Sequence, residues 1–186
     1  IPKRDWSSDV CSSDLTQRKM QMSAFNIGAA AMLGAIALVV AALGFEHIGG
    51  YVPCELCLLQ RVPYYAVIPL LFVTLTLLTA GHARMSASLF LLASMLFLTT
   101  AGIGAYQAGA EWQFWPGPTS CSGEQPIAQQ AGGLLDALKT TTVVRCDVAQ
   151  LRILGLSFAG WNVVAGLILF AMATQAAFRA APGEQD

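Results

Sequence analysis

Two cysteines and an arginine stand together in the segment PCELCLLQR, residues 53–61. Cys54, Cys57 and Arg61 are separated by three and then four residues, so in a helix they would share one face. Pro53 favours a helix start at this point, where free N–H groups stabilise an anion such as a thiolate. A helix N-terminus near an arginine is a recurring setting for a nucleophilic cysteine. The pattern therefore predicts a redox-active dithiol.

Arg61 lies where this segment enters an apolar run. A charge deep in a bilayer costs roughly 2.5 to 3.5 kcal/mol, although snorkelling lowers that cost at a helix mouth, so simple anchoring is one interpretation. The functional interpretation is that Arg61 stabilises a negative charge, on the Cys57 thiolate or on the oxygen of a lipid-soluble electron acceptor. An acceptor is required, because a dithiol that makes disulfides must pass two electrons onward. No G-x-G-x-x-G motif indicates a nucleotide cofactor.

The elements that must position these residues are apolar helices. The chain of 186 residues is 55% hydrophobic and 11% charged, against about 25% charged in soluble domains. Four segments have the roughly 20 apolar residues that a membrane span requires. We predict an all-α four-helix membrane bundle in one domain, residues 16–180, with a tail at 181–186. The predicted helices are at about 24–45, 62–80, 87–106 and 153–178, and the longer links are 46–61 and 107–152.

Basic residues near the helix ends predict the orientation, because they favour the cytoplasmic side. The four that fall on one face are Arg18, Lys19, Arg84 and Arg179. Both termini are therefore expected on the cytoplasmic side. Four cysteines fall on the opposite side, which in a bacterium is the periplasm, where disulfides persist. They are Cys54, Cys57, Cys121 and Cys146.

Two further segments lie outside the predicted spans. Residues 1–15 differ in composition from the rest and resemble a translated sequencing-adapter remnant, so no role is expected for Cys11. Residues 126–141 are amphipathic and predict a short interfacial helix. Trp112 and Trp115 are typical of an interfacial aromatic belt. A net charge of −1 gives no reason to expect nucleic acid as a partner.

Other interpretations of the cysteines remain open from the residues alone. Four thiolates could bind one zinc ion, although Cys121 and Cys146 lack the close spacing of such sites. Two inert structural bridges are the other alternative. A CxxC bridge closes too small a loop to add much stability through chain entropy, which favours a redox role.

The motifs resemble those of the disulfide bond formation protein B (DsbB) family, inner-membrane thiol:quinone oxidoreductases. The resemblance covers nearly all of the chain after residue 20. It rests on four segments: PCELCLLQR at 53–61, WPGPTSC at 115–121, RCD at 145–147 and LGLSFAGWN at 154–162. CxxC followed four residues later by arginine, opening the second of four helices, is a specific pattern.

The resemblance implies a relay of two cysteine pairs. Cys54 and Cys57 would exchange electrons with ubiquinone or menaquinone, with Cys57 nearest the quinone and Arg61 beside its ring. Cys121 and Cys146 would reoxidise a soluble thioredoxin-fold partner resembling DsbA, with Cys121 forming the mixed disulfide. Cys146 would then exchange with Cys54. No metal is implied.

The chain departs from the family at Gln107, where members often carry histidine. If that histidine delivers protons to the quinone, this chain uses another route, and His47 is a conceivable substitute. In the last motif, Gly155 and Gly160 would permit close helix approach. Trp161 and Asn162 are candidates for the border of a quinone pocket.

Two competing functions follow from the same residues. A vitamin K epoxide reductase-like enzyme also pairs a membrane CxxC with a quinone, but there the CxxC lies late in the bundle. A membrane scaffold with loops joined by disulfides would need no acceptor. Oxidation of a DsbA-like dithiol at the expense of quinone separates these functions.

Overall fold

A computed structural model describes residues 6–51, 53–117 and 151–181, with side chains from residue 15 onward apart from Ile153. The helices are α1 (Trp6–His47), α2 (Glu55–Thr79), α3 (Ala83–Glu111) and α4 (Phe158–Ala180). A two-stranded hairpin, β1 (Arg152–Ile153) and β2 (Leu156–Ser157), precedes α4. Within these ranges the four helices are long and apolar enough to cross a membrane. The predicted four-helix membrane bundle is confirmed.

The second helix begins at Glu55, well before the predicted start near residue 62. Cys54 is its N-cap, and the cysteine sulfur accepts a hydrogen bond from the Cys57 N–H at 3.3 Å. Glu55 in the first turn complements the helix dipole. Hydropathy locates the apolar span rather than the cap, so the predicted link at 46–61 was too long. Cys57 and Arg61 consequently lie on α2 itself.

The other helices also differ from their predicted bounds. Helix α3 continues to Glu111, so Gln107 belongs to its last turns rather than to the long loop predicted at 107–152. Helix α1 begins at Trp6, within the segment 1–15 whose composition differs from the rest of the chain. The origin of residues 1–15 stays a prediction.

A tight hairpin delays the start of the last helix, which was predicted near residue 153. Ile153 pairs with Leu156, and the two residues between them have positive φ, 54° at Leu154 and 84° at Gly155. Two successive left-handed residues form the turn that matches strand twist. Gly155 therefore serves this turn, and its predicted role in helix approach was wrong. Ser157 then caps α4 by accepting the Gly160 N–H at 3.2 Å.

Small residues allow the helices to pack closely, as in other membrane bundles. A Cβ atom at Gly28 of α1 would lie 2.6 Å from Cε1 of Phe90 on α3. A Cβ at Gly166 of α4 would lie 3.3 Å from the Phe97 carbonyl oxygen of α3. Phe90 and Phe97 are fully or almost fully buried, so these contacts fix the helix positions.

The two ends of the bundle differ in charge and chemistry. At one end the Arg179 guanidinium donates a hydrogen bond to the Ser23 hydroxyl, joining α4 to α1. The other end holds the start of α2 and the last turns of α3, with Cys54 and Cys57. The interfacial helix predicted at 126–141 lies outside the described residues, and so do Cys121 and Cys146.

Candidate redox site at the cysteine end

Cys54 and Cys57 are free thiols whose sulfurs lie 2.8 Å apart, with the Cys54 thiol donating to Cys57 Sγ. Cys54 is buried, with 4% of its surface exposed, whereas Cys57 is partly exposed. The hydrogen bond to Cys57 and burial both raise the pKa of the Cys54 thiol. Negative charge therefore belongs on Cys57 rather than on Cys54.

The Gln107 side chain reaches Cys57 from α3. Its Nε2 lies 3.4 Å from Cys57 Sγ and 3.3 Å from the Glu111 Oε1, while its Oε1 is 3.8 Å from the same sulfur. Glu111 is 8% exposed, and its Oε2 has no hydrogen-bond partner among the described residues. The sulfur thus meets an amide donor, with a carboxyl group one turn further along α3.

A series of polar side chains leads away from Gln107 through the helix interfaces. Gln60 Nε2 donates to Gln107 Oε1 at 2.7 Å, and Asn162 Nδ2 donates to Gln60 Oε1 at 2.7 Å. The Tyr64 hydroxyl donates to Asn162 Oδ1 at 2.8 Å. We call Tyr64, Asn162, Gln60 and Gln107 the amide chain. It joins α2, α3 and α4 directly behind the cysteine pair.

The Arg61 guanidinium is turned towards α1 rather than towards the sulfurs. Its Nη1 lies 2.5 Å from the Glu46 Oε2, and its Nη2 lies 3.4 Å from the Ala42 carbonyl oxygen. The side chain of Arg61 is 14% exposed and that of Glu46 26%. The arginine charge is thus compensated by a carboxylate before any ligand is considered.

A cavity of about 380 Å³ opens beside these groups. Its walls include both cysteines, Arg61 and Glu111, and their largely apolar surface contains the packed rings of Phe45 and Phe158, whose centroids lie 4.9 Å apart. Trp161 and Asn162 also line the cavity. Their place at the border of a quinone pocket stays a prediction. His47 is exposed at the end of α1 and does not line it. It gains no support as a proton route.

Comparison with known proteins identifies the family. The family model described as disulfide bond formation protein DsbB matches residues 25–176. The chain belongs to the DsbB family. A disulfide bond formation protein B of Verminephrobacter eiseniae (strain EF01-2) is 29% identical over 153 residues, covering 75% of this chain and 80% of that protein. One from Herminiimonas arsenicoxydans is 28% identical over 156 residues, covering 81% and 92%. No solved structure matches.

As a member of the DsbB family, the chain is a multi-pass membrane protein of disulfide bond formation, with a disulfide-forming oxidoreductase activity. The structure brings three of the five predicted site residues to one cavity, Cys54, Cys57 and Arg61. Cys121 and Cys146 lie outside the described residues, so the loop pair stays a prediction. The zinc alternative, which needs that pair, stays untested.

Several residues of the site in this DsbB family member were not predicted from the sequence. Gln60 and Tyr64 follow Cys57 at three and seven residues, on the same helix face, and Gln60 is a polar residue inside an apolar run. Polar side chains within membrane spans are functional candidates, so this signal was available. Glu46 and Glu111 carried a weaker signal, because each sits where a helix was predicted to have ended.

Proposed function

We propose that the protein is a thiol:quinone oxidoreductase that generates disulfide bonds. It reoxidises a periplasmic dithiol protein of the DsbA-like thioredoxin fold and passes the electrons to ubiquinone or menaquinone. The observation that carries the proposal is the pair of free thiols, 2.8 Å apart, in the wall of an apolar cavity at the start of a membrane helix. A disulfide scaffold has no use for such a cavity, and the DsbB family match favours this enzyme over a vitamin K epoxide reductase-like one.

The residues of the cavity fit a quinone. Small-molecule pockets typically have about 300 to 1,000 Å³, mostly apolar walls and a few polar groups, and a volume of about 380 Å³ falls within that range. A buried polar atom without a partner is costly unless a ligand or water satisfies it. Glu111 Oε2 is such an atom, and a quinol hydroxyl would bond to it. Cys57 and Arg61 would hold the polar face of the ring.

The chemistry is a two-electron oxidation of the membrane pair. A bound quinone supplies the oxidant, taking up two electrons and two protons as the sulfurs of Cys54 and Cys57 form their bond. Cys57 acts as the thiolate that faces the cavity, with the buried Cys54 thiol and the Gln107 amide donating to its sulfur. Arg61, with Glu46, places a compensated charge pair at the cavity wall.

The reduction potentials require that disulfide exchange be coupled to quinone reduction. DsbA-type proteins have reduction potentials near about −120 mV, whereas stable structural disulfides lie below about −300 mV. With 30 mV corresponding to about 1.4 kcal/mol, an ordinary disulfide would oxidise such a partner roughly 8 kcal/mol uphill. In the proposed relay Cys121 and Cys146 oxidise the partner, Cys146 exchanges with Cys54, and quinone reduction draws the electrons onward.

The proposed location is the bacterial inner membrane. Arg18, Lys19, Arg84 and Arg179 lie at the end of the helices opposite the cysteine pair, and the bias of basic residues to the cytoplasmic side then turns that pair towards the periplasm. Disulfides persist in that compartment.

The test is a coupled assay of the purified full chain in lipid nanodiscs. Reduced DsbA and ubiquinone-1 are added, and quinone loss and DsbA oxidation are both followed. We expect one quinone consumed for each disulfide formed. Cys57→Ser should abolish quinone consumption, whereas Cys11→Ser should leave it unchanged.

A single-turnover measurement separates the two cysteine pairs. Cys121→Ser should stop DsbA oxidation, while a fully reduced Cys121→Ser chain should still lose its Cys54 and Cys57 thiols when quinone is added. Absence of quinone consumption by the unmodified chain would leave the scaffold interpretation. Full DsbA oxidation by Cys121→Ser would refute the two-pair relay.

A further inference from the structure

The amide chain runs head to tail and ends on the reactive sulfur. Each member donates to the carbonyl oxygen of the next: Tyr64 to Asn162, Asn162 to Gln60, and Gln60 to Gln107, at 2.8, 2.7 and 2.7 Å. We propose that the amide chain is a positioning device that holds the NH2 group of Gln107 towards Cys57 Sγ and so stabilises the Cys57 thiolate. The inference rests on the proposed function only in that Cys57 reacts as a thiolate.

Thr100 of α3 sets the polarity of the amide chain, that is, the direction in which its hydrogen bonds are donated. It does so at Asn162, away from the sulfur. The Thr100 hydroxyl has one hydrogen, which it donates to the Gln60 backbone carbonyl at 2.9 Å. Its oxygen can therefore only accept from Asn162, whose Nδ2 lies 3.2 Å away. The Thr100 carbonyl oxygen, 3.4 Å from the same Nδ2, can likewise only accept. Asn162 must therefore turn its NH2 group towards Thr100 and its carbonyl oxygen towards Tyr64.

The orientation of Asn162 fixes the next two amides in turn. The NH2 group of Asn162 also faces Gln60, so Gln60 must present its carbonyl oxygen there and its own NH2 group to Gln107. Gln107 must then accept through Oε1, which leaves its NH2 group for Cys57 Sγ at 3.4 Å and Glu111 Oε1 at 3.3 Å, with Cys54 Sγ slightly further away at 3.6 Å. The backbone carbonyl of Gln60 orients the Thr100 hydroxyl. Through the amides of Asn162, Gln60 and Gln107, this hydroxyl determines which atom of Gln107 faces Cys57 Sγ.

The consequence at Cys57 is electrostatic. A donor that points at a charged sulfur favours the thiolate, and the effect is large in a site screened little by water. A flipped Gln107 would exchange the NH2 group at 3.4 Å from this sulfur with the carbonyl oxygen, which now lies 3.8 Å away, and would disfavour negative charge. Gln60 is 6% exposed and Gln107 3%, so water does not compete for these bonds.

The inference concerns an ionisation, so the other charged and titratable groups around Cys57 matter. Cys54 and the cavity-lining Tyr51 lie near the start of α2, Glu111 approaches from α3, and Glu46 of α1 is paired with Arg61. Helix α4 contributes the neutral Asn162 to this region. The amide chain is thus the neutral part of a site that also holds the ion pair of Arg61 with Glu46 and the carboxyl group of Glu111.

The test follows the alkylation of Cys57 by iodoacetamide as a function of pH. The full chain is reduced in detergent micelles, and the rate at Cys57 is read by mass spectrometry of its peptide. Gln107→Met removes the donor at similar size, and we expect the midpoint of the rate profile to rise by about one pH unit. Asn162→Leu does not touch the sulfur, yet it should raise the midpoint by a smaller amount.

The double variant distinguishes positioning from a general structural effect. If Asn162 acts through Gln107, the Gln107→Met, Asn162→Leu chain should show the midpoint of Gln107→Met alone. Additive shifts, or an Asn162→Leu profile that matches the unmodified chain, would overturn the inference.

If Asn162→Leu does not fold, Thr100→Val removes the hydroxyl that sets the polarity, and it should raise the midpoint in the same way. Thr99→Val is its matched control, because the Thr99 hydroxyl is exposed and bonds only to the Met95 carbonyl among the described residues. An unchanged midpoint in Thr100→Val would overturn the inference. Alkylation needs neither quinone nor DsbA, so a shifted profile in a protein that consumes no quinone would refute the proposed function alone.

Discussion

Two adjacent tyrosines on α2 offer a matched test of how strongly the amide chain holds the bundle together. Tyr64 is 4% exposed and donates to Asn162 Oδ1 at 2.8 Å, whereas Tyr65 is 50% exposed and is no part of the chain. Tyr64→Phe keeps the ring, which packs at 6.1 Å from that of Phe97, and removes one oxygen. The oxygen of the partly buried Asn162 side chain then loses its donor.

The expected cost follows from two bounds. Leaving a buried acceptor unsatisfied costs about 1 to 3 kcal/mol, but hydrogen bonds between membrane helices average about 0.6 and reach about 1.7 kcal/mol. Because Asn162 is only partly buried, the lower range applies, and we expect Tyr64→Phe to lower the free energy of unfolding by about 0.6 to 1.7 kcal/mol. Tyr65→Phe should change it by less than about 0.5 kcal/mol.

The assay is reversible unfolding of the full chain in mixed micelles with increasing sodium dodecyl sulfate, followed by circular dichroism. The comparison is between the two variants, so errors of extrapolation largely cancel. Equal stability of Tyr64→Phe and Tyr65→Phe would show that the Tyr64 hydroxyl does not anchor Asn162, and the assigned polarity would lose its outer end.

Two further outcomes are expected. Gly28→Ala should lower the free energy of unfolding by about 1 to 3 kcal/mol in the same assay, because the new Cβ would lie 2.6 Å from the fully buried Phe90 ring. Gly102→Ala is the control: a Cβ there would meet open space, so this variant should not be destabilised. A loss in both variants would contradict the packing at Gly28. In the fully reduced chain at neutral pH, iodoacetamide should modify Cys57 in preference to Cys54. The hydrogen bond to Cys57 and burial raise the pKa of the Cys54 thiol, so less of Cys54 is present as the reactive thiolate. Preferential labelling of Cys54 on peptide mapping would reverse the assigned roles.

The sequence was sufficient for features that depend on local spacing and composition. Hydropathy predicts four spans, and the intervals between Cys54, Cys57 and Arg61 predict one helix face. The helix that carries them begins at Glu55, where the Cys54 side chain provides the cap. A cap of this kind is a local hydrogen bond, which hydropathy does not register.

Features that depend on how the helices cross could not be predicted. Gln60 is 47 residues from Gln107 and 102 residues from Asn162, and the rotation of three helices decides whether their amides meet. The partner of Arg61 depends in the same way on the crossing of α1 and α2, which brings Glu46 to its guanidinium. Polar residues in apolar runs showed that partners must exist, but not which ones.

Gln107 changes the way in which the redox pair can respond to pH. A histidine in its place would gain and lose a proton near neutrality, so the number of hydrogen bonds that it could donate would depend on pH. An amide keeps its NH2 group at every pH, and here Gln60 holds that group on the side of Cys57 Sγ. The donor to the sulfur is therefore constant, and the pH dependence of the pair must arise from the thiols and from nearby charged groups. Arg61 is paired with Glu46 and does not donate to the sulfur. Among the described side chains other than Cys54, the Gln107 amide is the donor that contacts Cys57 Sγ, so the orientation of this amide affects the stability of the thiolate.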